Sequence, residues 1–204
     1  RTQFNHVAGN WFGVDAFGDP AGNGDNGVSM EDLANNNYIY NNLISHNGDS
    51  GFRTWVLADE NQVYDNTITN NKRNGVYLFG GSQHNLIRNN VIANNSDRGV
   101  SITTESDKTK GLFGETYYNT ISQNSIYGNR REGIKHTNRI DSDPKGNMAL
   151  KEPEILNANV SLAVGLACPG CKVEIFIADK TVVESGSDDH GEGRTFIGEG
   201  VANG

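Results

Sequence analysis

The sequence predicts an all-β fold: a parallel solenoid of three sheets with about 24 residues per coil, followed by a small separate β segment. Three observations carry this. A phrase with Asn, an aliphatic residue two later, a second Asn five later and a further aliphatic residue recurs through Asn37–Ile44, Asn61–Ile68, Asn85–Ile92 and Asn119–Ile126. A related copy runs from Asn5 to Phe12. The second Asn of four copies is followed nine residues on by Gly51, Gly75, Gly99 or Gly133. Finally, Asn42, Asn66 and Asn90 are spaced by 24 residues, and Asn124 follows Asn90 by 34, one coil with ten residues inserted. A fixed period of this size marks a stacked architecture.

Each coil divides into three extended pieces. The glycine-led piece contains Val28, Phe52, Val76, Val100 and Ile134; period-two alternation puts these on one face and Ser29, Arg53, Tyr77, Ser101 and Lys135 on the other. A middle piece carries Ile39, Val63, Ile87 and Ile121, and a final piece carries Ile44, Ile68, Ile92 and Ile126. None of these short pieces buries an apolar face alone. Coils stacked about 4.8 Å apart enclose one shared core. The Asn between the middle and final pieces bonds backbone at a bend and its counterpart one coil away, having two donor hydrogens and an acceptor, and Asn tolerates left-handed backbone. Asn10, Asn42, Asn66, Asn90 and Asn124 are therefore predicted to form an internal ladder. A second series, Asn23, Asn47, Asn71, Asn95 and Asn129, lies four residues before each Gly and marks the turn into the glycine-led strand. A leucine-rich repeat is excluded because its Leu frame is absent, and ordinary hairpins would not keep so strict a period.

On these motifs the chain resembles the right-handed parallel β-helix family of secreted proteins. That group contains pectate lyases, alginate lyases and epimerases, copper-binding-like periplasmic β-helix repeats and many non-catalytic surface proteins. The resemblance covers roughly residues 1–145 and supplies the right hand, which the spacing does not.

Beyond residue 137 the Asn phrase stops. Residues 141–147 read as a linker, dividing the chain into a β-helix over 1–145 and a β module or end cap over 146–204. Residues 161–167 and 172–177 read as two strands of a hairpin joined at Cys168–Cys171, with a third strand over 196–201. This stretch resembles the small immunoglobulin-like modules of bacterial secreted proteins but has about half the roughly 100 residues of such a sandwich. Either it is partial or its strands lean on the helix end, covering an edge that would otherwise invite aggregation. The two cysteines lack both a thioredoxin-like setting and a second ligand pair, which favours a short-loop disulfide and an oxidising compartment.

The net charge of −8 disfavours nucleic acid as a partner. No stretch approaches the roughly 20 apolar residues of a membrane span. The chain opens at Arg1 inside a repeat, which predicts a processed piece with further domains of a parent chain beside it. The expected location is extracellular or at the cell surface.

Proteins of this resemblance usually work on the outer face of one sheet. Here the outward columns are Ser29, Arg53, Tyr77, Ser101, Lys135 and Glu31, Trp55, Phe79, Thr103, Thr137. Arg53, Trp55, Tyr77 and Phe79 thus cluster on adjacent coils as a candidate carbohydrate-binding face, since aromatic faces pack on sugar rings and Arg donates to hydroxyls or carboxylates. Self-stacking for stability is the competing reading. Hydrolysis needs two placed carboxylates, and these columns hold only Glu31. Lyase chemistry on a uronate polymer would use Lys135 or Arg53 as base, with no acidic calcium cluster on that face. Alternation sends His136 inward or towards the end cap. Asp15, Asp19 and Asp25 lie in a Gly-rich loop that could hold calcium through oxygen but lacks EF-hand spacing; no other cofactor is implied. His6, His46, His84 and His190 lack metal-ligand spacing, and a loop over 107–114 with Leu112 and Phe113 walls a groove or folds back. An ice-binding reading fails because Trp55 and Phe79 interrupt the Thr column. The expectation is a structural or adhesive surface protein that contacts polysaccharide or cell-surface glycan, with a uronate-polymer lyase as the alternative.

Overall fold

A computed structural model describes residues 2–104, 114–138, 146–149, 151, 153–159, 162–178 and 192–203. The period becomes three parallel sheets of five strands each. The middle sheet stacks β1 (His6–Ala8), β4 (Tyr38–Tyr40), β7 (Gln62–Tyr64), β10 (Leu86–Arg88) and β13 (Thr120–Ser122). The final sheet stacks β2 (Trp11–Phe12), β5 (Leu43–Ser45), β8 (Thr67–Thr69), β11 (Val91–Ala93) and β14 (Ser125–Tyr127). The glycine-led sheet stacks β3 (Val28–Met30), β6 (Phe52–Thr54), β9 (Val76–Phe79), β12 (Val100–Thr104) and β15 (Ile134–Asn138). Pairing keeps the repeat in register: Ile39 faces Val63, which faces Ile87, which faces Ile121.

The inward column of each sheet forms one core, in which Ile39, Ile44, Phe52, Val63, Ile68, Val76, Ile87, Ile92 and Val100 are fully buried. Replacing any of these Ile side chains by Ala would cost about 2–5 kcal/mol. Gly51, Gly75 and Gly99 are required by close packing: a Cβ on Gly75 would lie 2.3 Å from Ile92 Cγ2 and 2.8 Å from the Gly99 carbonyl oxygen.

The corners hold three asparagine ladders where the sequence suggested one. Between middle and final strands, Asn10, Asn42, Asn66, Asn90 and Asn124 bond in series, each donating its backbone N–H and Nδ2 to Oδ1 of the next. The series Asn23, Asn47, Asn71, Asn95 and Asn129, read only as a turn marker, repeats this arrangement. So does Asn5, Asn37, Asn61, Asn85 and Asn119 ahead of the middle strand. The left-handed backbone falls one residue earlier than expected. Asn41, Asp65, Asn89 and Gln123 take φ of 53–55°, whereas the ladder Asn that follows each of them does not. The residue before makes the bend, and this leaves the Asn side chain aimed along the stack.

The ladders are polar, with donors pointing towards the C-terminal end. There the chain supplies acceptors of its own. Asn147, in a 3-10 turn over Gly146–Ala149, accepts from Asn119 N at 3.1 Å. Glu192 accepts from Asn129 N at 3.1 Å and Nδ2 at 2.9 Å.

The C-terminal strands pair differently from the expected hairpin. β17 (Ala163–Leu166) pairs antiparallel with β16 (Glu154–Ala158), and β18 (Lys172–Ala178) pairs with β19 (Gly193–Val201). Cys168 and Cys171 are disulfide-bonded in the turn between these two sheets, not at the tip of a hairpin. The reason is length: nine-residue β19 offers β18 a full antiparallel partner. Among the described residues these four strands make two separate pairs. The β18–β19 hairpin leans on the last coil. Glu174 accepts from Ser122 Oγ at 2.5 Å and Gln123 N at 2.8 Å, and Arg194 lies over the Tyr127 ring.

Candidate ligand-binding face

The outer side of the glycine-led sheet brings the four residues together. The Arg53 guanidinium carbon lies 5.5 Å from the Trp55 ring centroid. Trp55 and Phe79 stack across coils at 6.1 Å and 3°, and Tyr77 stacks on Phe79 at 5.0 Å and 6°. The in-register pairing of β6 with β9 produces this array, because it sets Arg53 beside Tyr77.

This outward face is less open to solvent than its column of residues suggests. Phe79, Ser101 and Thr103 were placed outward by alternation, yet all three are buried, Phe79 at 6% exposure. Alternation fixes which side of a strand a residue takes, not whether that side meets solvent. Thr103 is also engaged, 2.7 Å from Thr137 Oγ1. Arg53 is not a bare cation: its Nη2 pairs with Glu31, and Ser29 Oγ donates to the same carboxylate at 2.6 Å. Burial pushes the Glu31 carboxyl up, but Ser29 and Arg53 outweigh this and lower it. Trp55 Nε1 is buried and meets no acceptor among the described residues.

Lys135 sits 2.8 Å from Glu132, whose other oxygen accepts from Arg98 Nε at 3.0 Å. Burial raises the Glu132 carboxyl, yet Lys135, the backbone and Arg98 together bring it down to about 2. Lys135 is thus engaged by a carboxylate of its own chain and is not presented to a substrate as a bare amine.

Asp15 uses one oxygen to accept from Phe17 N and Asp19 N, closing its own turn. Among the described residues no three His, Cys, Asp or Glu side chains gather where they could hold a metal ion, so Asp15, Asp19 and Asp25 do not converge. The loop over 107–113 and His190 lie outside the described residues.

A second aromatic array was overlooked. On the outer face of the middle sheet His6 stacks on Tyr38 at 4.8 Å, and Tyr40 on Tyr64 at 5.1 Å. The alternation applied to the glycine-led strands, extended to β4 and β7, places these tyrosines outward and would have found it.

A family model described as the right-handed beta helix region matches residues 15–135, more than half of the chain. The chain belongs to the right-handed β-helix family. This β-helix matches no curated protein. Membership suggests a carbohydrate-related or structural role, and the fold with its disulfide points to an extracellular protein. A fold alone does not choose between these roles.

Proposed function

We propose that this β-helix is a structural or adhesive protein of the cell surface that contacts glycan through Arg53, Trp55 and Tyr77, with the buried Phe79 stacked against both aromatic rings. The observation that carries the reading is the parallel stack of Trp55, Phe79 and Tyr77, flanked by a guanidinium, on one outward face. Rigid aromatics give apolar contact at low conformational cost, and the Arg53–Glu31 pair offers donors and acceptors to sugar hydroxyls. Cell-surface placement is supported by the family and the disulfide.

The test is retention on a polysaccharide array. Trp55→Ala and Tyr77→Ala should each lower retention several-fold. Lost stacking should cost about 1 kcal/mol of stability, which leaves the fold intact by circular dichroism. Retention equal to the parent protein would overturn the reading. The same array with uronate polymers, followed by ultraviolet absorbance of unsaturated ends, tests the lyase alternative. No absorbance is expected, because Lys135 and Arg53 are each tied to a carboxylate.

A further inference from the structure

At the C-terminal end two of the three ladders finish on an acceptor from the chain, and the third does not. Asn119 donates to Asn147 and Asn129 to Glu192. Asn124, at the corner between them, gives one Nδ2 hydrogen to the Ile87 carbonyl at 2.8 Å. Its backbone N–H and second Nδ2 hydrogen meet no acceptor among the described residues. Yet the residue is only 3% exposed. Every earlier donor in this ladder points one coil onward, so those of Asn124 point into the space beyond the last coil. A cavity of about 500 Å3 lies there, between that coil and the β18–β19 hairpin, with Asn124 on its wall. Its size falls within the range of small-molecule sites.

The surrounding chemistry is specific. Ile121, Ile126 and Phe176 give an apolar lining, and Glu132, Glu174 and Glu192 add carboxylates, of which Glu132 is paired with Lys135 and Arg98 and Glu174 with Lys172. What meets two aligned N–H donors one coil on is already visible in the molecule: an amide carbonyl oxygen, repeated at each rung. A carboxylate meets the equivalent donors at Asn129, where Glu192 accepts both, so the test below sets an acetamido sugar against a uronate.

We infer that this cavity is a subsite for an N-acetylated amino sugar, seated by its acetamido group. The carbonyl oxygen takes the place of the next ladder Oδ1 on Asn124 N–H and Nδ2. The methyl group packs on Ile126 and Phe176. The acetamido N–H and sugar hydroxyls find acceptors in Glu132 and Glu174, whose oxygens have lone pairs left over after their present bonds. The inference rests on the glycan reading above but on a different surface, so the two can fail separately.

The test is a titration followed by the backbone 15N–1H signals, with N,N′-diacetylchitobiose as probe and cellobiose, digalacturonate and N-acetylasparagine amide as comparisons. The expected result is a shift of the Asn124 N–H with the diacetylated sugar and at least tenfold weaker binding of the other three. Phe176→Ala should weaken that binding at least fivefold while Trp55→Ala leaves it unchanged. Asn124→Asp, which keeps the Oδ1 acceptor for Asn90 and removes the Nδ2 donor, should abolish it in protein still folded by its spectrum. An unmoved Asn124 signal, equal binding of cellobiose, or tighter binding of the asparagine amide overturns the assignment. Array retention lost with Trp55→Ala but untouched by Phe176→Ala would leave the outer face standing and remove this subsite.

Discussion

Two residues show how single positions bear on a stack that is otherwise repetitive. After three of the glycine-led strands the chain turns through two left-handed residues. Asp32 and Leu33 make this turn in one coil, Val56 and Leu57 in the next, Gly80 and Gly81 in the one after. Val56 is the misfit, since a β-branched side chain at φ 53° is strained. Left-handed backbone costs an L residue roughly 1–2 kcal/mol, so Val56→Gly should stabilise the protein by about 1 kcal/mol after its lost packing. A denaturant midpoint that falls would contradict this. Glu132 sets a pH response. Its folded pKa, about 2, lies below the ordinary 4.5. Its ion pairs with Lys135 and Arg98 therefore contribute fully above pH 4.5, and that stability is lost as pH falls from 4.5 towards 2. Glu132→Gln should be less stable at neutral pH and lose less on acidification across that window. Parallel melting curves of variant and parent would refute it.

Among elements, strands and their order were legible because period two and period 24 are both written in aliphatic positions, as Ile39, Val63 and Ile87 show. The ladder through Asn42, Asn66 and Asn90 was legible for the same reason. What was not legible depended on contacts between distant segments. Nothing near Cys168 says that β18 will pair with β19 across an intervening stretch instead of folding back on β17. Glu192 replaces an Asn at the end of a ladder, and no repeat predicts a residue that stands outside the repeat. The burial of Phe79 likewise depends on neighbours in the stack, Trp55 one coil away and Tyr77 beside it. Because Glu192 and Glu174 bridge hairpin to coil, Glu192→Ala should leave the Asn129 donors unpaired and loosen the hairpin. Amide hydrogen exchange should then speed up in β14 and β19, while β7 and β8 keep their protection. Equal exchange in β14 for variant and parent would show that the carboxylate does not hold the end of the stack.

At the scale of the whole molecule, each coil contacts only its neighbours, so the cost of breaking a ladder depends on where it is broken. Asn66 is the strongest case. Its Oδ1 accepts from Asn42 N and Nδ2, while its own Nδ2 donates to Ile39 O, Tyr64 O and Asn90 Oδ1. Asn66→Ala strands buried partners on both sides, each worth about 1–3 kcal/mol when left unsatisfied. Asn10 occupies the same ladder on the first described coil, but it is exposed and, among the described residues, accepts from no earlier rung. Water can satisfy what Asn10→Ala leaves behind, so its cost should stay near 1 kcal/mol. With roughly 2–4 °C of melting temperature per kcal/mol at this size, Asn66→Ala should melt about 10 °C lower than the parent and Asn10→Ala only a few degrees lower. The Asn66 variant should also lose cooperativity, because it separates coils on either side of the break. Equal shifts for the two variants would mean that amide bonding between coils contributes little, and that the aliphatic core alone sets the stability of the stack.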